Sequence, residues 1–296
     1  MASEFRTEIN DIAEVVSTAL DEFLEEAEGP LGRVVAAMRH SALAGGKRLR
    51  PFLTIAAADI FDCHRDRSIR VGCALEMIHC YSLIHDDLPS MDDADTRRGK
   101  PSVHKAYDEA TAILAGDALL TQAFEVLADE ATHPDPDVRC RLIRDVSIAS
   151  GKDGMVGGQM IDIYAEQKDF DLEAIEQLQS LKTGALIKAS TVCGGIVGGA
   201  SVDDISALSA YAEDLGLAFQ IVDDLLDAFG SAEDLGKPVG QDVDMDKATF
   251  VKLMGAEKAK AKAELLVGSA KKHVSVFGPK ASALVHAADF VFERKS

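Results

Sequence analysis

Apolar residues recur with a helical period through almost the whole chain. In residues 9–23 they recur every three and four positions, the period of an amphipathic α-helix. The same period runs through residues 71–84, 110–128, 172–197, 205–229 and 247–266. No apolar run alternates with a sustained period of two, and no hairpin dipeptide separates two such runs. The pattern therefore predicts an all-α protein.

Eight prolines separate the helical segments or stand at their ends. Proline lacks a backbone N–H and clashes inside a helix, so each one marks a joint. About ten helices result, and no long linker, repeat or charge block indicates a second domain. We expect residues 1–296 to form one domain, a helical bundle whose site is built from side chains on facing helices.

The composition restricts the class of partner. A net charge of −19 argues against nucleic acid, which selects basic surfaces. Residues 1–10 are polar and acidic, and the most apolar stretch, 185–200, is shorter than the roughly 18 to 20 apolar residues of a membrane span. Five cysteines without metal-ligand spacing fit a reducing compartment. We expect a cytoplasmic protein without nucleic-acid binding or membrane insertion.

The first of two aspartate clusters contains Asp86, Asp87 and Asp92. Asp86 and Asp87 end an apolar helical run, and Pro89 stops or bends that helix. Asp92 therefore comes from the following turn, and carboxylates from two backbone segments can converge on one cation.

The second cluster contains Asp223, Asp224 and Asp227, which follow another apolar run. Asp223 and Asp227 are four residues apart and share one helical face. A single acidic run is usually a solvated surface, but two runs that each end an apolar helix near basic residues favour a metal site. Mg²⁺ uses one or two carboxylates and completes its shell with water and phosphate. Two clusters therefore indicate a multi-metal clamp around a diphosphate.

Basic residues accompany both clusters. Lys47, Arg48 and Arg50 follow a pair of glycines that could cradle a phosphate, although the segment is not a Walker loop. Arg97 and Arg98 follow the first cluster, and Lys237 and Lys247 follow the second. Lys182 lies in a helical segment, and His79 shares a helical face with Asp86.

Together these segments resemble the trans-isoprenyl diphosphate synthases, also called polyprenyl synthetases, in their bacterial form with two residues inserted in the first aspartate motif. The resemblance covers nearly the whole chain in order. It is carried by residues 46–51, 79–93, 97–99, 116–118, 157–159, 182–184, 219–227 and 236–238. One departure is Asp246 before Lys247, where the family usually has glycine.

The resemblance implies an all-helical fold around a central cavity, a homodimer, and three Mg²⁺ ions per active site, for which Mn²⁺ can substitute. The implied metal ligands, or residues that orient metal-bound water, are Asp86, Asp87, Asp92, Asp223, Asp224 and Asp227. The allylic diphosphate would be held by Arg97, Lys182, Thr183, Gln220, Lys237 and Lys247. Isopentenyl diphosphate would be held by Lys47, Arg50, His79 and Arg98. Lys182 and the six aspartates would be the catalytic residues.

The implied reaction is the head-to-tail condensation of isopentenyl diphosphate with dimethylallyl or geranyl diphosphate. Tyr81 and Ser82 precede Asp86 on the same helix and lie about 6 to 7.5 Å below it. Family members with an aromatic residue at position 81 and the two-residue insertion typically stop at fifteen carbons. We therefore expect farnesyl diphosphate as the main product, with geranylgeranyl diphosphate as the alternative.

Two other functions are disfavoured by particular residues. A class I terpene cyclase needs no second diphosphate site, whereas this chain has both the basic turn at Lys47–Arg50 and the pair Arg97 and Arg98. A non-catalytic subunit of a hetero-oligomeric synthase would be expected to have lost acidic residues, and both clusters are intact here.

Overall fold

The computed structural model describes residues 2–165, 170–229 and 249–294. The first helices are α1 (Ala2–Phe23), α2 (Gly29–Ala42), α3 (Leu49–Asp59) and α4 (Arg65–Asp86). A short hairpin, β1 (Thr96–Arg97) and β2 (Lys100–Pro101), precedes α5 (Val103–Ala106) and α6 (Glu109–Ala128). The fold is all-α, as the periodicity predicts.

The second half continues the bundle. Its first helices are α7 (Pro136–Ser150), α8 (Met155–Ala165), α9 (Leu172–Gln179) and α10 (Ala185–Val197). They are followed by α11 (Val202–Phe229), α12 (Phe250–Met254), α13 (Ala256–His273) and α14 (Ser282–Glu293). A π-helical turn (Ser180–Gly184) joins α9 to α10, and a 3₁₀ segment (Val274–Ala281) joins α13 to α14.

Several helices begin where the sequence supplies a cap. The side chains of Asp108, Asp135, Asp171 and Thr249 each accept a backbone N–H from the first turn of the helix that follows. Such bonds satisfy N–H groups that have no partner within the helix. The caps therefore fix where α6, α7, α9 and α12 start.

Helix α10 lies in the core. Eleven of its thirteen residues are buried, and it packs against α3, α4, α7 and α11. It covers most of the stretch that the sequence marks as most apolar. Helices α4 and α11, which carry the two aspartate clusters, both pack against α10, so α10 is the common support of the site.

The predicted helix over residues 247–266 is wrong in one respect. Of the part that the structure describes, α12 and α13 are separate helices that meet at Gly255. Gly255 has φ +82°, a left-handed conformation that side chains with a Cβ rarely adopt. The apolar period continues across this break, which is why periodicity alone did not reveal it.

The hairpin of β1 and β2 was also missed. Its turn residues Arg98 and Gly99 both have positive φ, +52° and +74°, which suits a tight two-residue turn. Strands of two residues are too short to produce an alternating pattern.

Among the described helices, α6 alone is long and apolar enough in composition to cross a membrane. In its most apolar window, 44% of the residues are buried inside the protein, and α6 packs against α2, α4 and α7. One such helix is weak evidence for a membrane segment, because core helices share this composition.

Candidate active site

The first aspartate cluster lies where α4 ends. Asp86 is the last residue of the helix, and the chain then turns back on itself. The backbone N–H of Asp92 donates to the carbonyl of Asp86 at 2.8 Å, and that of Ala94 donates to the carbonyl of Asp87 at 3.2 Å. The turn therefore brings Asp92 beside Asp86, as expected from the position of Pro89.

Asp86 lies among charges that do not balance. Burial raises the pKa of Asp86 to about 6. The cations of Lys182 and Arg97 oppose this shift, whereas the nearby carboxylates Asp92 and Asp87 add to it. A carboxylate in this setting gains from a further positive charge, and carboxylate oxygens suit Mg²⁺. This donor set therefore fits the expected metal.

Asp87 has a different environment. Its side chain is only 3% exposed and accepts hydrogen bonds from Arg97, at 3.0 Å from Nε and 2.5 Å from Nη2. Burial raises the pKa of Asp87, and the hydrogen bond from Arg97 opposes the shift. This pair ties the end of α4 to the start of the hairpin and holds the Arg97 side chain beside the cluster.

The second cluster lies on α11. Asp224 and Asp227 are buried, and Asp224 Oδ2 accepts the backbone N–H of Phe250 at 2.8 Å, which attaches α12 to α11. Asp223 is more exposed, and its Oδ1 lies 3.3 Å from Nη2 of Arg294. Sequence analysis missed Arg294.

Arg294 is held by Phe219 as well as by its ion pair with Asp223. Its guanidinium lies 3.8 Å from the ring centre of Phe219 and donates to the Phe219 carbonyl at 2.8 Å. The only sequence signal was a basic residue near the end of the chain, and nothing in the pattern connected it to Asp223.

Lys182 lies on the π-helical turn between α9 and α10. Such turns insert an extra residue into a helix and are frequent at functional sites. Lys182 Nζ forms an ion pair with Asp162 Oδ2 at 2.5 Å. Burial alone would lower the pKa of Lys182, but Asp162 and then Asp86 hold it above its usual value, so the side chain stays cationic.

Helix α8 approaches this turn closely. A Cβ on Gly158 would lie 2.2 Å from the backbone nitrogen of Lys182, so this position requires glycine. Asp162, which sequence analysis missed, follows one turn later on the same helix. Its signal was its spacing of three residues from Gln159, which places both on one face.

Two of the remaining allylic-site candidates, Gln220 and Thr183, are among the described residues. Gln220 Nε2 donates to Gln179 Oε1 at 2.8 Å, which joins α11 to the residue just before the π-helical turn. Thr183 is half-buried on that turn. Lys237 and Lys247 lie outside the described residues.

Both clusters are thus placed at the N-terminal end of α10. Lys182, just before α10, interacts electrostatically with Asp86 and Asp92 of the first cluster. The contact between Gln179 and Gln220 lies one turn from Asp223 of the second.

Of the four candidates for the second diphosphate site, Arg50, His79 and Arg98 lie together, and Lys47 lies elsewhere. Burial, followed by Arg50 and Arg98, lowers the pKa of His79 well below its ordinary value, so its imidazole is neutral among guanidinium groups. Lys47 lies apart, with Nζ 5.5 Å from the ring centre of Phe290. After burial, the charges of Arg294 and Asp223 have the largest effects on its pKa, which places Lys47 towards the second cluster.

Within residues 2–165, 170–229 and 249–294, no three histidine, cysteine or acidic side chains come close enough to form a complete metal cage. Mg²⁺ in phosphate sites typically binds one or two carboxylates and takes its other ligands from water and substrate.

Tyr81 and Ser82 lie one turn below the first cluster. Tyr81 is 7% exposed, and its ring packs edge-to-face on His85 with the centres 5.7 Å apart. Burial, with a contribution from Asp86, raises the pKa of Tyr81 to about 12. Ser82 Oγ donates to the carbonyl of His79 at 2.9 Å.

A cavity of about 910 Å³ lies elsewhere, between α7, α9, α10 and α11. None of the predicted site residues that the structure describes lines this cavity, although Ser180, Leu181 and Gly184 of the π-helical turn do. Its size therefore says nothing about the length of a substrate bound near the aspartates.

Comparison with known proteins decides the family. The model of the polyprenyl synthetase family matches residues 33–278. The farnesyl diphosphate synthase of Geobacillus stearothermophilus is 42% identical over 97% of this chain and 96% of its own length. The chain belongs to the polyprenyl synthetase family. The geranylgeranyl diphosphate synthase of Cyanophora paradoxa is 43% identical, over 88% of this polyprenyl synthetase and 87% of its own length.

Solved structures agree with this assignment. An FPP/GFPP synthase from Zymomonas mobilis has a TM-score of 0.90 and 48% identity, covering 99% of this chain and 100% of its own. A geranyltransferase from Helicobacter pylori, complexed with magnesium and isoprenyl diphosphate, has a TM-score of 0.83 and 31% identity over 97% and 96% of the two chains. The family and fold expected from the sequence are confirmed. This polyprenyl synthetase is a prenyl diphosphate synthase of the farnesyl or geranylgeranyl type.

The contact between Asp162 and Lys182 yields a testable prediction. Asp162→Asn removes the charge that holds Lys182 and keeps the size of the side chain. A charge-assisted hydrogen bond contributes roughly 1.5 to 3 kcal/mol, so we expect prenyl diphosphate synthesis to slow about tenfold or more. The control is Asp153→Asn, since Asp153 forms an exposed ion pair with Lys152. Equal steady-state rates in both variants would show that Asp162 does not orient Lys182.

Proposed function

We propose that this prenyl diphosphate synthase makes mainly farnesyl diphosphate from isopentenyl diphosphate and dimethylallyl or geranyl diphosphate, with Mg²⁺ as cofactor. Geranylgeranyl diphosphate is the alternative product, since relatives bear both names. The observation that carries the proposal is the placement of Tyr81, buried below Asp86. The whole chain acts as one catalytic domain.

Each group of residues has a separate role in this proposal. Asp86, Asp92 and Asp223 have the most accessible carboxylates and bind Mg²⁺ directly. Asp87, Asp224 and Asp227 are buried and support the ligands or orient metal-bound water. Three ions would span the two clusters. The magnesium in the Helicobacter pylori relative supports the choice of metal.

The two substrates are held by different cations. The allylic diphosphate binds Arg97, Lys182, Thr183 and Gln220 at the N-terminal end of α10, together with Lys237 and Lys247. Isopentenyl diphosphate binds Arg50, His79 and Arg98, with Lys47 between this group and the second cluster. The neutral imidazole of His79 can donate a hydrogen bond to phosphate without adding charge to the surrounding guanidinium groups.

The reaction begins when the allylic C–O bond breaks and its electron pair leaves with diphosphate. When bound, Mg²⁺ neutralises the charge that develops on this leaving group. Lys182 and Arg97 stabilise the same charge. The double bond of isopentenyl diphosphate then attacks the allylic cation and forms the new C–C bond. Loss of one proton, with the released diphosphate as base, restores a double bond.

Product length follows from the space below Asp86. Tyr81 precedes Asp86 by five residues on α4, and its buried ring packs against His85. A rigid aromatic ring at this depth would stop a growing tail, whereas Ser82 beside it is small. The proposed fifteen-carbon limit depends on this ring.

The exposed apolar residues support a homodimer. Among the described residues, six of the thirteen exposed large apolar side chains lie on α6, α7 and α8. They are Ile113, Leu114, Ile148, Val156, Met160 and Tyr164. Apolar surface concentrated in this way favours association with a second copy. We place the dimer in the cytoplasm.

The two alternative functions, a class I terpene cyclase and a non-catalytic synthase subunit, do not account for all of the charged groups. The group of Arg50, His79 and Arg98 provides a second anion site that a terpene cyclase does not need. A non-catalytic subunit would not need both aspartate clusters. Turnover by the isolated chain separates these alternatives from the proposal.

The metal clamp predicts a large loss of rate in two single variants. Asp86→Ala and Asp223→Ala each remove a proposed ligand and should slow turnover by several orders of magnitude, because one transition-state charge contact contributes roughly 3 kcal/mol or more. Asp203→Ala, an exposed acid on α11, is the control. Near-normal turnover in both cluster variants would exclude the clamp.

If the Tyr81 ring stops the growing tail, removing the ring should change the product. The wild type should make mainly the fifteen-carbon diphosphate, and Tyr81→Ala should lengthen it by at least one five-carbon unit. Tyr81→Phe keeps the ring and should leave the distribution unchanged. The measurement is chromatography of the dephosphorylated products. A wild type that makes mostly the twenty-carbon product, or an unchanged profile for Tyr81→Ala, would contradict this assignment.

The dimer proposal is tested with Leu114→Glu, a charge placed on the apolar surface of α6. Light scattering should give a mass near 31.6 kDa for this variant and twice that for the wild type. Leu265→Glu changes a leucine on α13 that is more exposed than Leu114, and this variant should remain dimeric. If Leu114→Glu is still a dimer, the interface lies elsewhere.

A further inference from the structure

A buried carboxylate lies beneath the proposed isopentenyl diphosphate site. Glu76 is on α4, one turn before His79, and its side chain is 2% exposed. Burial of an ionised carboxylate is unfavourable unless opposite charges and hydrogen bonds compensate it. The surroundings of Glu76 therefore indicate what this charge does.

One partner of Glu76 is Arg48. Arg48 Nη1 lies 2.6 Å from Glu76 Oε1, and Nη2 donates to the carbonyl of Ala42 at 2.5 Å. The Arg48 side chain is 1% exposed, so this is a fully buried ion pair between the basic turn and α4. Arg48 also has a left-handed φ of +50°, in the residue just before α3.

The same carboxylate acts on two further arginines. Arg98 Nη2 lies 3.8 Å from Glu76 Oε1, and Arg98 Nη1 donates to the Gly45 carbonyl at 2.6 Å. Burial lowers the pKa of Arg50, and the charge of Glu76 is the main influence that opposes it. Arg48 and Arg98 therefore lie against one negative charge, and Arg50 on α3 feels the same charge.

The backbone conformation at Gly46 lets the basic turn approach Arg98. Gly46 has φ +116°, and a Cβ there would lie 2.9 Å from Cζ of Arg98. This positive φ, which side chains with a Cβ rarely adopt, favours glycine where the basic turn passes the Arg98 side chain. Arg50 Nε is buried without a hydrogen-bond partner in the part of the chain that the structure describes.

We propose that Glu76 is a positioning residue for isopentenyl diphosphate. It does not touch substrate; its charge holds Arg98 and Arg50 together against their mutual repulsion, so that their guanidinium groups are already convergent when the diphosphate arrives. This inference rests on the proposed function. The competing explanation is that Glu76 only stabilises the fold through Arg48.

The primary test is steady-state kinetics of Glu76→Gln, which removes the charge and keeps the shape. We expect the KM for isopentenyl diphosphate to rise at least about tenfold, the effect of losing roughly 1.4 kcal/mol of binding. The KM for geranyl diphosphate should stay within about twofold of wild type, and the product length should be unchanged. Glu76→Asp keeps the charge and should recover part of the affinity. Equal increases in both KM values would overturn the proposal.

A double variant separates positioning from stability. Arg48→Met with Glu76→Leu removes both charges of the buried pair, and replacing such a pair by apolar residues of similar volume often leaves stability unchanged. If Glu76 serves Arg48 alone, this variant should recover both the Tm and the KM for isopentenyl diphosphate, and the proposal fails. We expect the Tm to recover while that KM remains high, because Arg98 and Arg50 still lack their counter-charge. The double variant decides the matter even if Glu76→Gln alone folds poorly.

Tyr211→Phe is the control for general destabilisation. Tyr211 is fully buried, and its hydroxyl donates to the Leu284 carbonyl at 2.6 Å, between α11 and α14. Its loss should lower the Tm without changing either KM. A wild-type chain that makes no prenyl diphosphate would refute the proposed function itself, whereas an active wild type with normal kinetics in Glu76→Gln would refute this inference alone.

Discussion

Repulsion between like charges is the constraint on which the site depends. Asp86, Asp87 and Asp92 are close enough that the two neighbours add to the raised pKa of Asp86. The arginine-rich side has the opposite excess of charge: burial, and then four arginines led by Arg50, lower the pKa of His79. The protein compensates each group only partly, with Lys182 near the acids and Glu76 under the arginines. The acidic side therefore favours further cations and the arginine-rich side favours anions, and the proposed metal ions and diphosphates would supply both.

The helices hold these charges against repulsion because they converge on α10. Its buried length packs against α4 and α11, and the π-helical turn before it carries Lys182. Close approach at Gly158 lets α8 bring Asp162 to the same lysine. The apolar core thus provides a rigid frame, and the charged residues lie at the ends of its helices, where side chains from separate segments can meet.

The sequence predicted the fold class correctly and located the two aspartate clusters, whose role as metal ligands stays a prediction, because both leave regular signals. Apolar residues repeat with the helical period, and Pro89 shows that the chain turns between Asp86 and Asp92. Contacts between distant segments leave no such signal. The pair of Arg48 and Glu76, the approach of Arg294 to Asp223, and the contact of Asp162 with Lys182 join residues separated by 28, 71 and 20 positions. The π-helical turn was missed for another reason: one inserted residue barely disturbs the apolar period.

The most direct test of this account is whether diphosphate binding requires the metal. The measurement is calorimetric titration of the wild type with geranyl S-thiolodiphosphate, an analogue that resists ionisation, in Mg²⁺ and again with the metal removed by EDTA. If the acidic clusters bind the diphosphate through Mg²⁺, the affinity should fall by about a hundredfold or more in EDTA, because the carboxylates then repel the ligand. Equal affinity in the two conditions would contradict the account, since the basic residues alone would then be sufficient for binding.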